Sequence, residues 1–274
     1  LVCAGTGEAS LITLRGFELL QKAEVSSGFR ATVTREPLPG IQLGRTQLAW
    51  KYNRDYHAIT LASKLPAEML FHHILAHECL HIELETAARR LSVNRWFTTT
   101  EESLQLAIDS MDRDIRKIVR TTGQSEEPLR GMLWRMLPDA LSQLYNAPLD
   151  ILIERQLSEE RRLREAQFCS LCLQVHNASR VALNPQSRSI VPPGLLTLND
   201  SLNGAAAIFL DTFSRGATDF FSLYRSLPTA RLARDVHELC ASHKHEPGSE
   251  YELVDEIANL LGCRNWYSWR TDPG

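Results

Sequence analysis

Residues His77-Glu78-Cys79-Leu80-His81 fall inside a stretch, Ala67 to about Leu91, that holds neither glycine nor proline, and that pairing restricts the chain more than any other feature. The stretch predicts a helix. Histidines four residues apart then lie about 40° apart around the axis and roughly 6 Å along it, so both imidazoles point the same way. Two imidazoles so placed can bind one zinc ion, and Glu78, one step round, can reach a water held by that ion. Leu75, Cys79 and Ile82 cluster on another side of the helix, so metal chemistry and apolar packing take different faces. Cys79 therefore reads as a small core residue. His73 and Glu85 continue the histidine face in opposite directions, each about 12 Å from the far histidine. They read as groove-lining groups, as groups that orient a ligand, or as plain solvent-facing residues.

Just upstream, Tyr56 to Ser63 alternate. Ala58, Thr60 and Ala62 fall on one face and His57, Ile59, Leu61 and Ser63 on the other, which predicts a short strand. Lys64-Leu65-Pro66 follows, with proline where a helix begins. A catalytic zinc normally has three protein ligands and an open position for water, so a third ligand must come from elsewhere in the chain. The segment 146–154 is the best source, because Asp150 and Glu154 form a second i, i+4 pair, on a helix expected to begin near Pro148. Leu149, Ile151, Leu152 and Ile153 leave little of this turn polar, and a carboxylate buried there needs a partner such as a zinc-bound histidine. The competing reading makes Asn146 an N-cap, Asp150 a favourable acid in a first turn, and Glu154 a surface group paired with Arg155 or Arg161.

Strand, short turn and motif-bearing helix together resemble a zincin metallopeptidase over roughly residues 40 to 160. The pattern N-x-x-x-D-x-x-I-E from Asn146 to Glu154 is also similar to one that follows H-E-x-x-H in some bacterial metallopeptidases. The resemblance implies an α+β fold: a mostly helical zincin-like domain with a small sheet beside the active-site helix, and a strand that pairs with extended substrate. It implies zinc (Zn2+) as cofactor, His77, His81 and Asp150 as metal ligands, and Glu154 as the acid that orients a histidine. The reverse assignment, with Glu154 as ligand, stays open, because thermolysin-like sequences place a ligand glutamate four residues before the aspartate. On that resemblance Glu78 is the expected catalytic residue, a general base that would take a proton from zinc-bound water and deliver it to the leaving nitrogen. Tyr52, Tyr56, His57 and Tyr145 are candidates by type for the oxyanion donor. In some zincins a cysteine outside the catalytic helix fills the fourth zinc position and holds the enzyme latent, and Cys3, beside Gly5 and Gly7, is the candidate latency ligand. The expected partner is a protein or peptide substrate, and many intracellular zincins of this size cut one regulatory protein.

Composition limits the alternatives. With 43% hydrophobic and 23% charged residues, the chain has the balance of a globular protein. A net charge of −3 gives no sequence-wide reason to expect nucleic acid or an anionic membrane. No apolar run approaches the roughly 20 residues needed to span a bilayer. No signal peptide is recognisable, and the chain begins with Leu1. Six scattered cysteines do not form a disulfide framework, which favours a reducing, cytoplasmic setting. Cys169-Ser170-Leu171-Cys172 with His176 resembles half a zinc site, for which Cys240, His243 and His245 are the available other half.

The remaining patterns predict helices over Leu11 to Val25, Glu101 to Thr121, Pro128 to Asn146 (with a second start at Pro138) and Pro148 to Ala178, with strand-like pieces between Arg30 and Trp50. Asn177 to Pro193 lacks helical periodicity. The expected organisation is therefore a zincin-like metallopeptidase domain over 1–178, a linker over 179–198 and a helical C-terminal region over 199–274. That region is expected to hold helices at 199–212, 217–226, 230–242 and 250–261, the last stopped by Gly262, with Trp266, Tyr267 and Trp269 anchoring the tail. Two other functions compete with a peptidase. One is a regulatory or binding protein on a zincin scaffold with a structural or vestigial metal site; the other is a helical partner-binding or nucleic-acid-binding module whose H-E-x-x-H is accidental.

Overall fold

Apolar periodicity in the chain becomes ten α-helices and five strands among the residues described by the computed structural model, which are 9–244 and 246–271, with side chains from Arg15 onward. The fold is mixed α+β and mostly helical, and no described helix is long and apolar enough to cross a membrane. It divides into two compact units, Leu1–Ser92 with Leu152–Asn177, and Val93–Ile151 with Ala178–Gly274.

In the first unit α1 (Ala9–Ser27) is followed by β1 (Arg30–Glu36), β2 (Gly44–Gln47), β3 (Tyr56–Ala62) and α2 (Glu68–Arg90). β3 is the centre of a three-stranded sheet of order β1-β3-β2. β1 runs parallel to it, pairing Arg30 with Tyr56 and Glu36 with Ala62, and β2 runs antiparallel, pairing Gly44 with Leu61 and Gln47 with Ala58. The strand expected to meet substrate is therefore β3, and it already has neighbours on both sides; the edges belong to β1 and β2. The alternation read from the sequence holds in part: His57, Ile59 and Leu61 are buried, but Thr60 of the other face is buried too and Ser63 is exposed, because β3 is the central strand. Ile59 and Leu61 join Leu75, Cys79 and Ile82 of α2 in a core completed by Leu19 and Ala23 of α1 and by Ile153, Leu157 and Leu163. Gly16 lets α1 approach α2 closely, because a Cβ there would lie 3.2 Å from His72 Nδ1. α2 carries Glu68 in its first turn and Arg89 and Arg90 in its last, charges that suit the helix dipole.

The helix expected to start at Pro148 is in fact the last part of α5 (Glu126–Leu157), which runs 32 residues with Pro138 and Pro148 inside it. Asn146 is thus an exposed interior residue donating to Ser142 Oγ at 3.2 Å, not an N-cap. An interior proline removes one helix hydrogen bond and crowds the carbonyl four residues back, at a cost of about 3 kcal/mol. Fully buried Leu133, Leu137, Leu141 and Leu144 before Pro148, and Leu149 after it, keep the helix on one course. α5 stops at Leu157, and α6 (Arg164–Ala182) follows a short 3-10 turn, where one long helix was expected.

The second unit is built from two separate spans of chain. The span 93–151, read as part of the first domain, groups with the C-terminal part, and the expected linker holds the end of α6, all of α7 (Pro185–Ser189) and the start of α8 (Pro193–Phe213). The reason is a long-range strand pair: β4 (Arg95–Thr98) pairs antiparallel with β5 (Ser268–Thr271). Glu101 to Thr121 forms two helices, α3 (Glu101–Ser110) and α4 (Asp112–Thr122), broken at buried Met111. Residues 217–226 hold only a 3-10 turn, Phe220–Leu223. α9 (Ala230–Ser242) and α10 (Glu250–Leu260) lie where the pattern placed them, and Gly262, at φ 72°, ends the last. The aromatic tail is anchored: Trp266 and Tyr267 are buried, and Asp255 Oδ1 accepts from Tyr267 Oη–H at 2.5 Å and Trp269 Nε1–H at 2.8 Å.

Candidate metal centre

On α2 the i, i+4 spacing delivers the expected pair: His77 Nε2 and His81 Nε2 lie 3.2 Å apart. His77, His81 and Asp150 each offer one ligand atom, all within 4.8 Å of one another, and all three residues are half-buried. It is the single group of three or more histidine, cysteine or acidic side chains with such spacing among the described residues. The division into units falls after Ile151, inside α5. Asp150 and Glu154 share that unbroken helix and lie one turn apart on it.

Glu154 is that fixed point. It is 2% exposed and its carboxylate accepts three hydrogen bonds: His77 Nδ1–H to Oε1 at 2.7 Å, and His73 Nε2–H (3.1 Å) and Gln167 Nε2–H (2.8 Å) to Oε2. Burial alone would raise its pKa, but the two histidines outweigh burial and hold the carboxyl below the usual range. An ionised carboxylate only accepts, so His77 carries a proton on Nδ1, and in the neutral ring Nε2, which faces His81, is the lone-pair nitrogen. Glu154 thus stands behind His77, while Asp150 is the acid grouped with the two histidines.

The residues fit zinc. Two nitrogens bound to a tetrahedral zinc at 2.0–2.1 Å stand about 3.3 Å apart, close to the His77–His81 spacing, and the donor set of two imidazoles and a carboxylate is a common one for this ion. A carboxylate behind one imidazole is also the usual way a zinc-ligating histidine is oriented.

Glu78 takes its contacts from β2. It is 6% exposed, and Thr46 Oγ1–H donates to its Oε2 at 2.7 Å. Its other oxygen lies against Gly44, where a Cβ would come within 2.3 Å of Oε1. Edge strand β2 thus forms the seat of this carboxylate.

The other sequence candidates separate. His73 is fully buried on Glu154, and buried Glu85 accepts from Lys51 Nζ at 2.9 Å; neither is a plain solvent-facing residue. Cys79 is core, its thiol pushed up by burial. His57, considered as an oxyanion donor, is a core residue packed edge-on against Phe29 and Trp50, its Nδ1 accepting from Ala49 N–H at 3.1 Å. Tyr52 is half exposed, Tyr56 lies at the start of β3, and Tyr145 packs on Phe97 and Trp269. Cys169 and Cys172 lie on α6 and belong to no three-membered ligand group among the described residues; His245 and Cys3 lie outside those residues. Sequence reasoning missed Thr46, Gly44 and Gln167, none of which belongs to a motif. Their places depend on how β2 and α6 pack on α2 and α5. Family models, curated proteins and solved structures offer no match to this chain.

Proposed function

We propose that this protein is a zinc-dependent metallopeptidase that hydrolyses peptide bonds in a protein substrate, with His77, His81 and Asp150 as ligands and Glu78 as general base. The observation that carries the reading is the Glu154–His77–His81 chain of contacts, which leaves two imidazole nitrogens converging 3.2 Å apart beside an acid. Zinc, when bound, supplies a Lewis acid that acidifies water and polarises a carbonyl.

The chain's own groups do the rest. Glu154 holds the His77 tautomer, so that Nε2 is a ligand atom without rearrangement. Glu78, one residue along α2 from His77, takes a proton from the attacking water and returns it to the leaving amine. Thr46 donates to one oxygen of that carboxylate and so fixes the side chain's orientation.

The test is metal analysis followed by Glu78→Gln. Purified protein should bind one zinc per chain, and Glu78→Gln should keep the metal while cleavage of a peptide library falls by about 10²–10⁴-fold, the usual worth of a general base. Cleavage that persists in Glu78→Gln would exclude this mechanism. Zinc binding with no hydrolysis in either protein would favour a binding protein on a metal scaffold.

A further inference from the structure

A third histidine stands behind the ligands. His73 precedes His77 by one helical turn on α2, is 0% exposed, and its ring centre lies 6.5 Å from that of His77. We propose that His73 is a positioning residue of the metal centre, which holds the Glu154 carboxylate in the orientation from which Oε1 fixes the tautomer of His77. The proposal rests on the zinc reading above.

The argument is geometric. The terminal torsion of a glutamate is soft, so a carboxylate held at one oxygen can turn. Glu154 is held at both. His77 takes Oε1, while His73 from α2 and Gln167 from α6 converge on Oε2. Gln167 also donates to the Glu154 backbone carbonyl at 2.6 Å, so its amide serves two acceptors and holds Oε2 less exclusively. Without His73, Oε2 would keep only this shared amide, and the carboxylate would turn more readily about its soft terminal torsion, away from His77 Nδ1. His73 is too deeply buried to meet solvent itself. Its Nδ1 has no hydrogen-bond partner among the described residues, which leaves Nε2, the atom on Glu154, as the ring's one engaged nitrogen. A buried imidazole spent wholly on one carboxylate oxygen acts through that carboxylate.

Zinc affinity reads this role without reference to catalysis. Competition against a chromophoric chelator should show His73→Leu weakening zinc binding by about ten- to a hundredfold, the usual cost of losing an outer partner of a metal-ligating histidine. His73→Gln, which carries an amide N–H near the position of Nε2, should recover most of the affinity. A structural role alone would lower the melting temperature of His73→Leu and leave the affinity of the folded protein unchanged, and that result would overturn the proposal. Should His73→Leu fail to fold, long-range 1H–15N spectra of the wild-type protein decide: the proposal requires His73 protonated at Nε2 and His77 at Nδ1, and a His73 proton found on Nδ1 alone overturns it. Wild-type protein that binds no zinc would remove both the metal site and this proposal. Unchanged affinity in folded His73→Leu removes only the latter, and loss of the peptidase reading through Glu78→Gln leaves it standing.

Discussion

Gly44 matters for what it lacks. Its missing side chain makes room for a Glu78 oxygen, with Ile74 Cγ2 on the same side. Gly44→Ala would set a methyl 2.3 Å from Oε1 and 2.7 Å from Ile74 Cγ2, so the carboxylate must leave its seat. The expected outcome is a fall in hydrolysis of about a hundredfold or more with zinc stoichiometry intact, read by parallel activity and metal assays. His57 carries a different consequence. Burial holds its imidazole down at about 4, from an ordinary 6.5, despite the opposing charge of Glu24. The unfolded chain takes up this proton near 6.5 and the folded chain only near 4, so unfolding is favoured by acid in that window. The neutral imidazole's contribution is full above 6.5 and is lost as pH falls toward 4, by up to about 3 kcal/mol. His57→Asn, which keeps an acceptor for Ala49 N–H, should flatten the fall of melting temperature between those values; an unchanged slope would refute the assignment.

At the scale of the element, α2 carries both core contacts and the proposed ligands, and its end is imperfect. Ser92, just past its C-cap Leu91, sits at φ 58°, a left-handed conformation that a Cβ makes costly. Helices usually place glycine there. Ser92→Gly should therefore raise stability by about 0.5–1 kcal/mol without changing zinc affinity, measured by denaturant unfolding and chelator competition. α5 shows the opposite balance. Two prolines read as helix starts are interior residues, because the leucine stripe along the helix outweighs the missing N–H groups. A local signal marked boundaries there that burial over the whole length overrode. On α2 local and tertiary signals agree, which is why its limits were legible to within a residue.

At the scale of the whole molecule, neither compact unit is a single stretch of chain. The second is closed by β4 and β5, which join Arg95 to Thr271, and β5 is in turn anchored through Asp255 on α10, which takes Tyr267, Trp269 and Arg264. Asp255→Ala should cost about 3 kcal/mol, since it strips a charged acceptor from several donors at once. It should also speed tryptic cleavage at Arg264 and Arg270; an unaltered cleavage rate would show that strand pairing alone holds the tail.

The sequence by itself determined the local geometry: which segment is a 23-residue helix, that His77 and His81 share a face of it, that Cys79 does not, and that Asp150 and Glu154 lie one turn apart. These follow from the fixed rise and rotation of a helix, which need no partner. Only the tertiary structure decided which acid meets which histidine, that His73 is buried on the same carboxylate, that β2 seats Glu78, and that residues 93–151 belong with the C-terminal part. Each of those depends on side chains distant in sequence being pressed together by burial of the core, and no local periodicity encodes the choice of neighbour.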